Sequence, residues 1–294
     1  MSLARRNRDR ILAAQIVSAA AAPADGGGIA PAAATLPAAG AGNASLAERA
    51  AAQIVLRLTH DLRRLKEIRG IDLKIAAKRE MLPEYRDWVA GTVGADAGVG
   101  IGLAAEVVPT VMVWLIDVGA YGEALDLLPF MLKHKVAMPN RYQRDAATIA
   151  IEEIADAANK AQGAGADFPL EILARVAELT AACDIHDQVR AKLFKATGTV
   201  QLTAAEDLPA DEGKPALEAA LASLNEAQRL HDRIGVKDKI KRANKLLTAI
   251  AAVAPDPWNG DDRPGSGLDC DYPGCTHDHG GVCTPNNEQG GAAA

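Results

Sequence analysis

The chain has 294 residues, of which Ala supplies 61 whereas Phe, Trp and Tyr together supply 10. Ala carries no helix-propensity penalty and sheets favour the β-branched and aromatic side chains, so this composition argues for packed helices and excludes an all-β fold. The net charge of −6 is uneven: residues 1–89 carry +5 and residues 90–294 carry −11, which points to a polyanionic partner for the basic end.

The chain opens on Arg5, Arg6, Arg8 and Arg10, followed by ILAAQIVSAAAA. This imitates a secretory leader, but Gln15 and Ser18 interrupt a weak, Ala-dominated apolar region, so a cytoplasmic protein is expected. Residues 19–44 are almost wholly Ala, Gly and Pro, a flexible-linker composition. Residues 1–44 therefore read as a flexible basic arm and linker.

Order is expected from Ser45, which with Glu48 makes a capping-box pattern ahead of LAERAAAQIVLRLTHDLRRLKEIRG. Val55, Leu58, Leu62 and Leu65 fall on one stripe of that helix and read as a coiled-coil or hairpin seam for oligomerisation. A second helix follows over 72–82 and stops at Pro83, with Gly70 between the two either a turn or a weak point. Residues 45–89 thus form a basic helical hairpin or coiled-coil region.

Residues 90–252 read as a helical core. The segment VVPTVMVWLIDVG is apolar all round and predicts a buried helix at its centre, with Trp88 and Trp114 as anchors. Glu106 and Pro109 interrupt the apolar run too soon for a membrane span. Helical periods continue through YGEALDLLPFMLKHKV, RDAATIAIEEIADAANKAQ, 169–182, 186–196 and 215–251, the last a pair broken at Gly235. Residues 253–294 lack the apolar side chains to build a core. The expected fold is all-α, a helical bundle or hairpin array with a disordered N-terminal linker and C-terminal tail.

Four sets of residues bear on chemistry. Clustered positive charge is what phosphate binding requires, and Arg5, Arg6, Arg8 and Arg10 with Arg57, Arg63, Arg64, Lys66, Arg69, Lys74, Lys78 and Arg79 supply it. Few aromatics interleave them, which argues against a single-strand stacking platform. Glu152, Glu153 and Asp156 share a helix face and could chelate Mg²⁺ for nuclease chemistry, although a lone acidic face is usually solvated. Cys270, Cys275, His277, His279 and Cys283 offer enough ligands for a structural zinc ion at a non-standard spacing, and an unstructured tail stands beside that reading. Gly98, Gly100 and Gly102 lack the preceding strand of a dinucleotide site, and no P-loop occurs.

Three long blocks, LRRLKEIRGIDLKIAAKREMLPEYRDWVAG, VMVWLIDVGAYGEALDLLPFMLKHKVAMPNRYQRDAATIAIEEIADAA and AELTAACDIHDQVRAKLFKATG, resemble the small terminase subunits of tailed phages of the GpM type, the terminase endonuclease subunit family. The resemblance covers residues 1–247 approximately. The long linker and the Cys/His tail depart from the family pattern.

The resemblance implies a DNA-packaging protein in the host cytoplasm. Such a protein binds the cos site on concatemeric double-stranded DNA, forms a homo-oligomeric ring, and directs cleavage and packaging with the large terminase subunit. It transfers no catalytic residue position by position, and the large subunit is the expected seat of the nuclease. Two competing readings are a metal-dependent endonuclease acting through Glu152, Glu153 and Asp156, and a helical-repeat adaptor suggested by GAYGEALDLL and PALEAALASLNEAQRL.

Overall fold

A computed structural model describes residues 3–21 and 45–253. Residues 22–44 of the expected linker and the Cys/His tail, with its five proposed zinc ligands, lie outside the described residues. Among the described residues there are eleven α-helices and no strand, so the all-α expectation holds. The chain divides into a unit of residues 1–248 and a second of residues 249–294. Only residues 249–253 of the second, the end of the last helix, are described.

The first helix, α1 (Leu3–Ala21), occupies opening residues that the sequence reads as a flexible arm. Leu12, Ala13 and Val17 are buried; the four-residue step puts Ala13 and Val17 on one stripe, with Leu12 beside it. α1 lies against α4 (Arg86–Ala95). Gly91 makes this approach possible: a Cβ there would stand 2.1 Å from the Arg10 carbonyl oxygen, closer than any side chain permits.

α2 (Leu46–Glu67) starts at the capping box that the sequence predicts. The Glu48 amide donates to Ser45 Oγ at 3.2 Å and the Ser45 amide to Glu48 Oε2 at 2.7 Å, which satisfies two otherwise orphaned donors. The helix ends at Ile68 in extended backbone, and α3 (Ile71–Met81) begins after Gly70. Gly70 therefore sits at a true turn. Leu82–Glu84 form one 3₁₀ turn carrying Pro83 before α4. The boundary expected at residues 89–90 falls inside α4, whose Trp88 and Val89 are buried in the same core as the helices on either side.

α5 (Val107–Asp117) is the centre of that core, with every residue from Val107 to Ile116 buried. Thr110, the one hydroxyl among them, donates to the Glu106 carbonyl at 2.5 Å and so carries no unmet polar group inward. Trp114 meets Tyr85 edge to face at 5.7 Å. α6 (Tyr121–Lys133) and α7 (Ala146–Gly163) pack on α5 through Leu125, Leu128, Met131, Ile151 and Ile154, all buried.

α8 (Leu170–Leu179) and α9 (Asp187–Glu206) continue the array. α9 runs well past the expected end at Ala196. α10 (Ala210–Leu230) lies along it with Leu217, Ala220, Leu224 and Ala227 buried at heptad spacing. Gly198 of α9 gives Leu224 its seat, since a Cβ there would stand 2.7 Å from Leu224 Cγ. Gly235, at φ 79°, makes the predicted break before α11 (Lys237–Val253).

Candidate nucleic-acid interface

The basic residues of α2 and α3 divide by what their charges touch. Four are anchored. Arg57 Nη1 lies 2.6 Å from the Glu84 carboxylate and donates to the Glu84 carbonyl at 3.2 Å. Arg64 pairs with Glu80 at 2.8 Å, which ties α2 to α3. Lys78 pairs with Asp117 at 2.5 Å and Arg79 donates to the Val118 carbonyl at 3.2 Å, which fix α3 to the end of α5.

Arg63, Lys66, Arg69 and Lys74 have no hydrogen-bond or ion-pair partner among the described residues. They lie in twelve consecutive residues around the α2–α3 turn, and Arg63, Lys66 and Arg69 are exposed. Unpaired charge at a solvated turn is free to neutralise phosphates, whereas a paired cation must first give up its carboxylate.

The core-facing stripe of α2 is Ile54, Leu58, Asp61 and Leu65. The residues proposed for oligomerisation therefore look inward: Leu58 and Leu65 are buried, and Val55 and Leu62 pack partly buried against the same core. Within this single chain α1, α3 and α5 pack on that side of α2. The opposite face presents Arg49, Leu56 and Arg63 at spacings of seven, with Leu56 68% exposed. Arg49 is a cation the sequence reading missed. Its signal was the same seven-residue step that defines the seam, taken half a turn away.

Asp61 sits within the buried stripe, where Tyr85 donates its hydroxyl to Asp61 Oδ2 at 2.7 Å. Burial, followed by the acceptor bond to Asp61, pushes the Tyr85 pKa far up, so the phenol stays protonated as the donor. This pair locks the inner face of α2 to the start of α4 and so sets which face of α2 meets solvent.

The N-terminal arginines belong to α1. Arg6 lies 4.0 Å from Asp87, Arg8 3.6 Å from Asp9, and Arg10 donates to Asn7 at 3.1 Å. The Arg5 side chain lies outside the described residues.

Two of the three acidic residues of α7 are paired with cations. Glu152 pairs with Arg144 and, at 3.2 Å, with Lys192, which also reaches Asp156 at 2.8 Å. Glu153 makes no such pair; partial burial, then the Asp117 and Asp156 charges, push its pKa up. Among the described residues no group of three or more His, Cys, Asp or Glu side chains is placed to hold a metal ion. No described helix is long and apolar enough to cross a membrane.

Comparison with known proteins places this geometry in context. A family model described as phage small terminase subunit matches residues 55–188, from the middle of α2 to the first turn of α9. The terminase endonuclease subunit of Escherichia phage P2 is 36% identical over 195 residues, which cover 66% of this chain and 73% of the relative. No solved structure matches. At 36% identity across 73% of that relative, and with the family model matching residues 55–188, the chain belongs to the phage small terminase subunit family and has its role in phage DNA packaging.

Proposed function

We propose that this chain is the subunit that recognises the packaging site, binding cos on concatemeric double-stranded DNA and directing the large terminase subunit to cut and package it. The observation that carries the reading is the set of unpartnered cations Arg63, Lys66, Arg69 and Lys74 at a turn held rigid by Arg64, Lys78 and Arg79. The region 45–89 is then the DNA-binding surface and residues 90–252 offer surfaces for the large subunit. The paired arginines of α1 join the contact at its edge. The subunit works in the host cytoplasm as a homo-oligomeric ring, assembled through a surface other than the inward seam of α2.

Salt dependence tests this directly. Each phosphate contact adds roughly 0.9 to the slope of log affinity against log salt on duplex DNA. Replacing Arg63, Lys66, Arg69 and Lys74 by Gln should therefore flatten the slope by about 3 to 4 and weaken binding to a cos-containing duplex. Unchanged slope and affinity would overturn the assignment of the surface.

A second reading is favoured by the name of the phage P2 relative, which is an endonuclease subunit. Here this chain would itself cut DNA with Mg²⁺ bound by Glu152, Glu153 and Asp156, after displacing Arg144 and Lys192. Mg²⁺-dependent cleavage by the purified chain without the large subunit, abolished in Glu152→Gln, would favour it. Cleavage only when the large subunit is present would favour the first.

A further inference from the structure

Residues 233–248, RIGVKDKIKRANKLLT, hold Arg233, Lys237, Lys239, Lys241, Arg242 and Lys245 against the single carboxylate of Asp238. This lies in the part of the chain whose net charge is strongly negative, so the basic stretch is a local reversal. Its placement on α11 sorts the charges further. Ala243 is fully buried and marks the inner face, and Lys239 is partly buried. Arg242 pairs with Glu206 at 2.6 Å. Lys237, Lys241 and Lys245, four residues apart, form a row on the opposite, exposed side.

Little within the protein compensates this row. Lys241 has Asp238 at 3.9 Å, but both side chains are almost wholly exposed and such a contact is worth little in water. Lys237 and Lys245 make no ion pair among the described residues. Positive charge also crowds the start of the helix: Lys195 donates to the Ile234 carbonyl at 3.0 Å, and burial together with the Lys239 charge pushes its pKa down. Elsewhere in residues 90–230 the basic side chains are largely taken up, as Arg141 is by Glu106, Arg175 by Asp126 and Lys192 by Glu152 and Asp156.

The chemistry of the face selects the ligand. It carries no exposed large apolar side chain, so it lacks the anchors a partner helix would bury. Lysines are point charges without the planar fork that reads carboxylates or base edges in pairs. A helix rises 1.5 Å per residue, so the row spans about 12 Å with about 6 Å between ammonium groups. A DNA strand advances about 3.4 Å per phosphate, which lets three such lysines follow one strand of a duplex.

We propose that the solvent face of α11 is a second, sequence-independent phosphate track for duplex DNA, formed by Lys237, Lys241 and Lys245. The inference rests on the reading of this chain as a DNA-binding subunit, but uses a surface separate from the α2–α3 turn. It assigns α11 to holding DNA of any sequence, as the α2–α3 surface is assigned to the packaging site.

The test uses the full chain with Lys237, Lys241 and Lys245 replaced together by Gln, and a companion with all three replaced by Arg. Binding to a cos-containing duplex and to an unrelated duplex is measured across a salt series. The Gln variant should lose on the order of tenfold in affinity on both duplexes at low salt, and its salt slope should fall by about 2 to 3. The Arg variant should restore both. Unchanged affinity and slope in the Gln variant, while the α2–α3 variant still weakens binding, would overturn this inference alone. A wild-type chain with no salt-sensitive duplex binding would overturn both readings. Intact DNA binding with lost association to the large subunit would overturn it in favour of an acidic protein partner.

Discussion

Replacing Tyr85 by Phe removes a single oxygen from a fully buried side chain, and so isolates the worth of its bond to Asp61. The hydroxyl donates at 2.7 Å to Asp61 Oδ2, and the Asp61 side chain is only 13% exposed. A hydrogen bond to a charged group contributes about 1.5–3 kcal/mol, and a buried acceptor stripped of its donor bears most of that loss. The remaining neighbour, His60 Nδ1 at 3.4 Å on a side chain 77% exposed, is a poor replacement.

Tyr85→Phe should therefore cost about 2 kcal/mol. In a unit of this size that corresponds to a fall in Tm of roughly 4–8 °C. Thermal and urea unfolding followed by circular dichroism would measure it. Adding Asp61→Leu should recover part of the loss, because two apolar partners leave no stranded acceptor. A Tyr85→Phe variant within about 0.5 kcal/mol of wild type, or a double variant worse than the separate losses combined, would refute the idea that this bond fixes α2 to α4.

Gly91→Ala should push α1 off α4, since the new Cβ meets backbone and not a movable side-chain end; overpacking of this kind costs about 1–3 kcal/mol, and limited proteolysis should then cut within residues 3–21 first. Leu58→Ala should destabilise the fold by about 2–5 kcal/mol without a change in oligomer mass measured by light scattering at temperatures where it stays folded. Asp145→Ala removes the N-cap of α7, whose carboxylate accepts from the Thr148 amide at 2.9 Å, and should cost about 1 kcal/mol. Burial opposes ionisation of Asp145, but the Thr148 amide and hydroxyl, joined by the Asp145 and Ala147 amides, outweigh it and hold its pKa below the usual range. That contribution is present above the ordinary carboxylate pKa near 4 and is lost as pH falls through the lower folded value, so wild type and Asp145→Ala should converge in stability at strongly acid pH.

Periodicity made the core legible. An unbroken apolar run around Trp114 has no polar face to offer water, so it had to be central, and α5 is. Ser45 and Glu48 announced the start of α2 because a capping box is a local interaction that tertiary packing has no reason to undo. Direction was not legible. Val55, Leu58, Leu62 and Leu65 define a stripe whether they meet a second chain or the same one, and periodicity could not reveal that α1, α3 and α5 pack on that side. α1 was missed for a related reason: its buried set is short, Leu12, Ala13 and Val17 in an Ala-rich run, too weak to foretell packing unless Gly91 is seen to let the backbones approach. Among the cations, charge was readable and partnership was not. Lys78 and Lys74 look alike in sequence, yet Asp117, 39 residues further on, claims one and leaves the other free.

The anchored cations also form a route for mechanical load. Two of the unpartnered cations of the α2–α3 turn lie close to one tied to another element: Arg63 beside Arg64, and Lys74 one turn before Lys78. A pull on Arg63 or Lys74 is thus carried across salt bridges into α3 and the end of α5, a helix gripped on every side. On the proposed reading of the α2–α3 surface, these salt bridges would pass load from a bound duplex into the core.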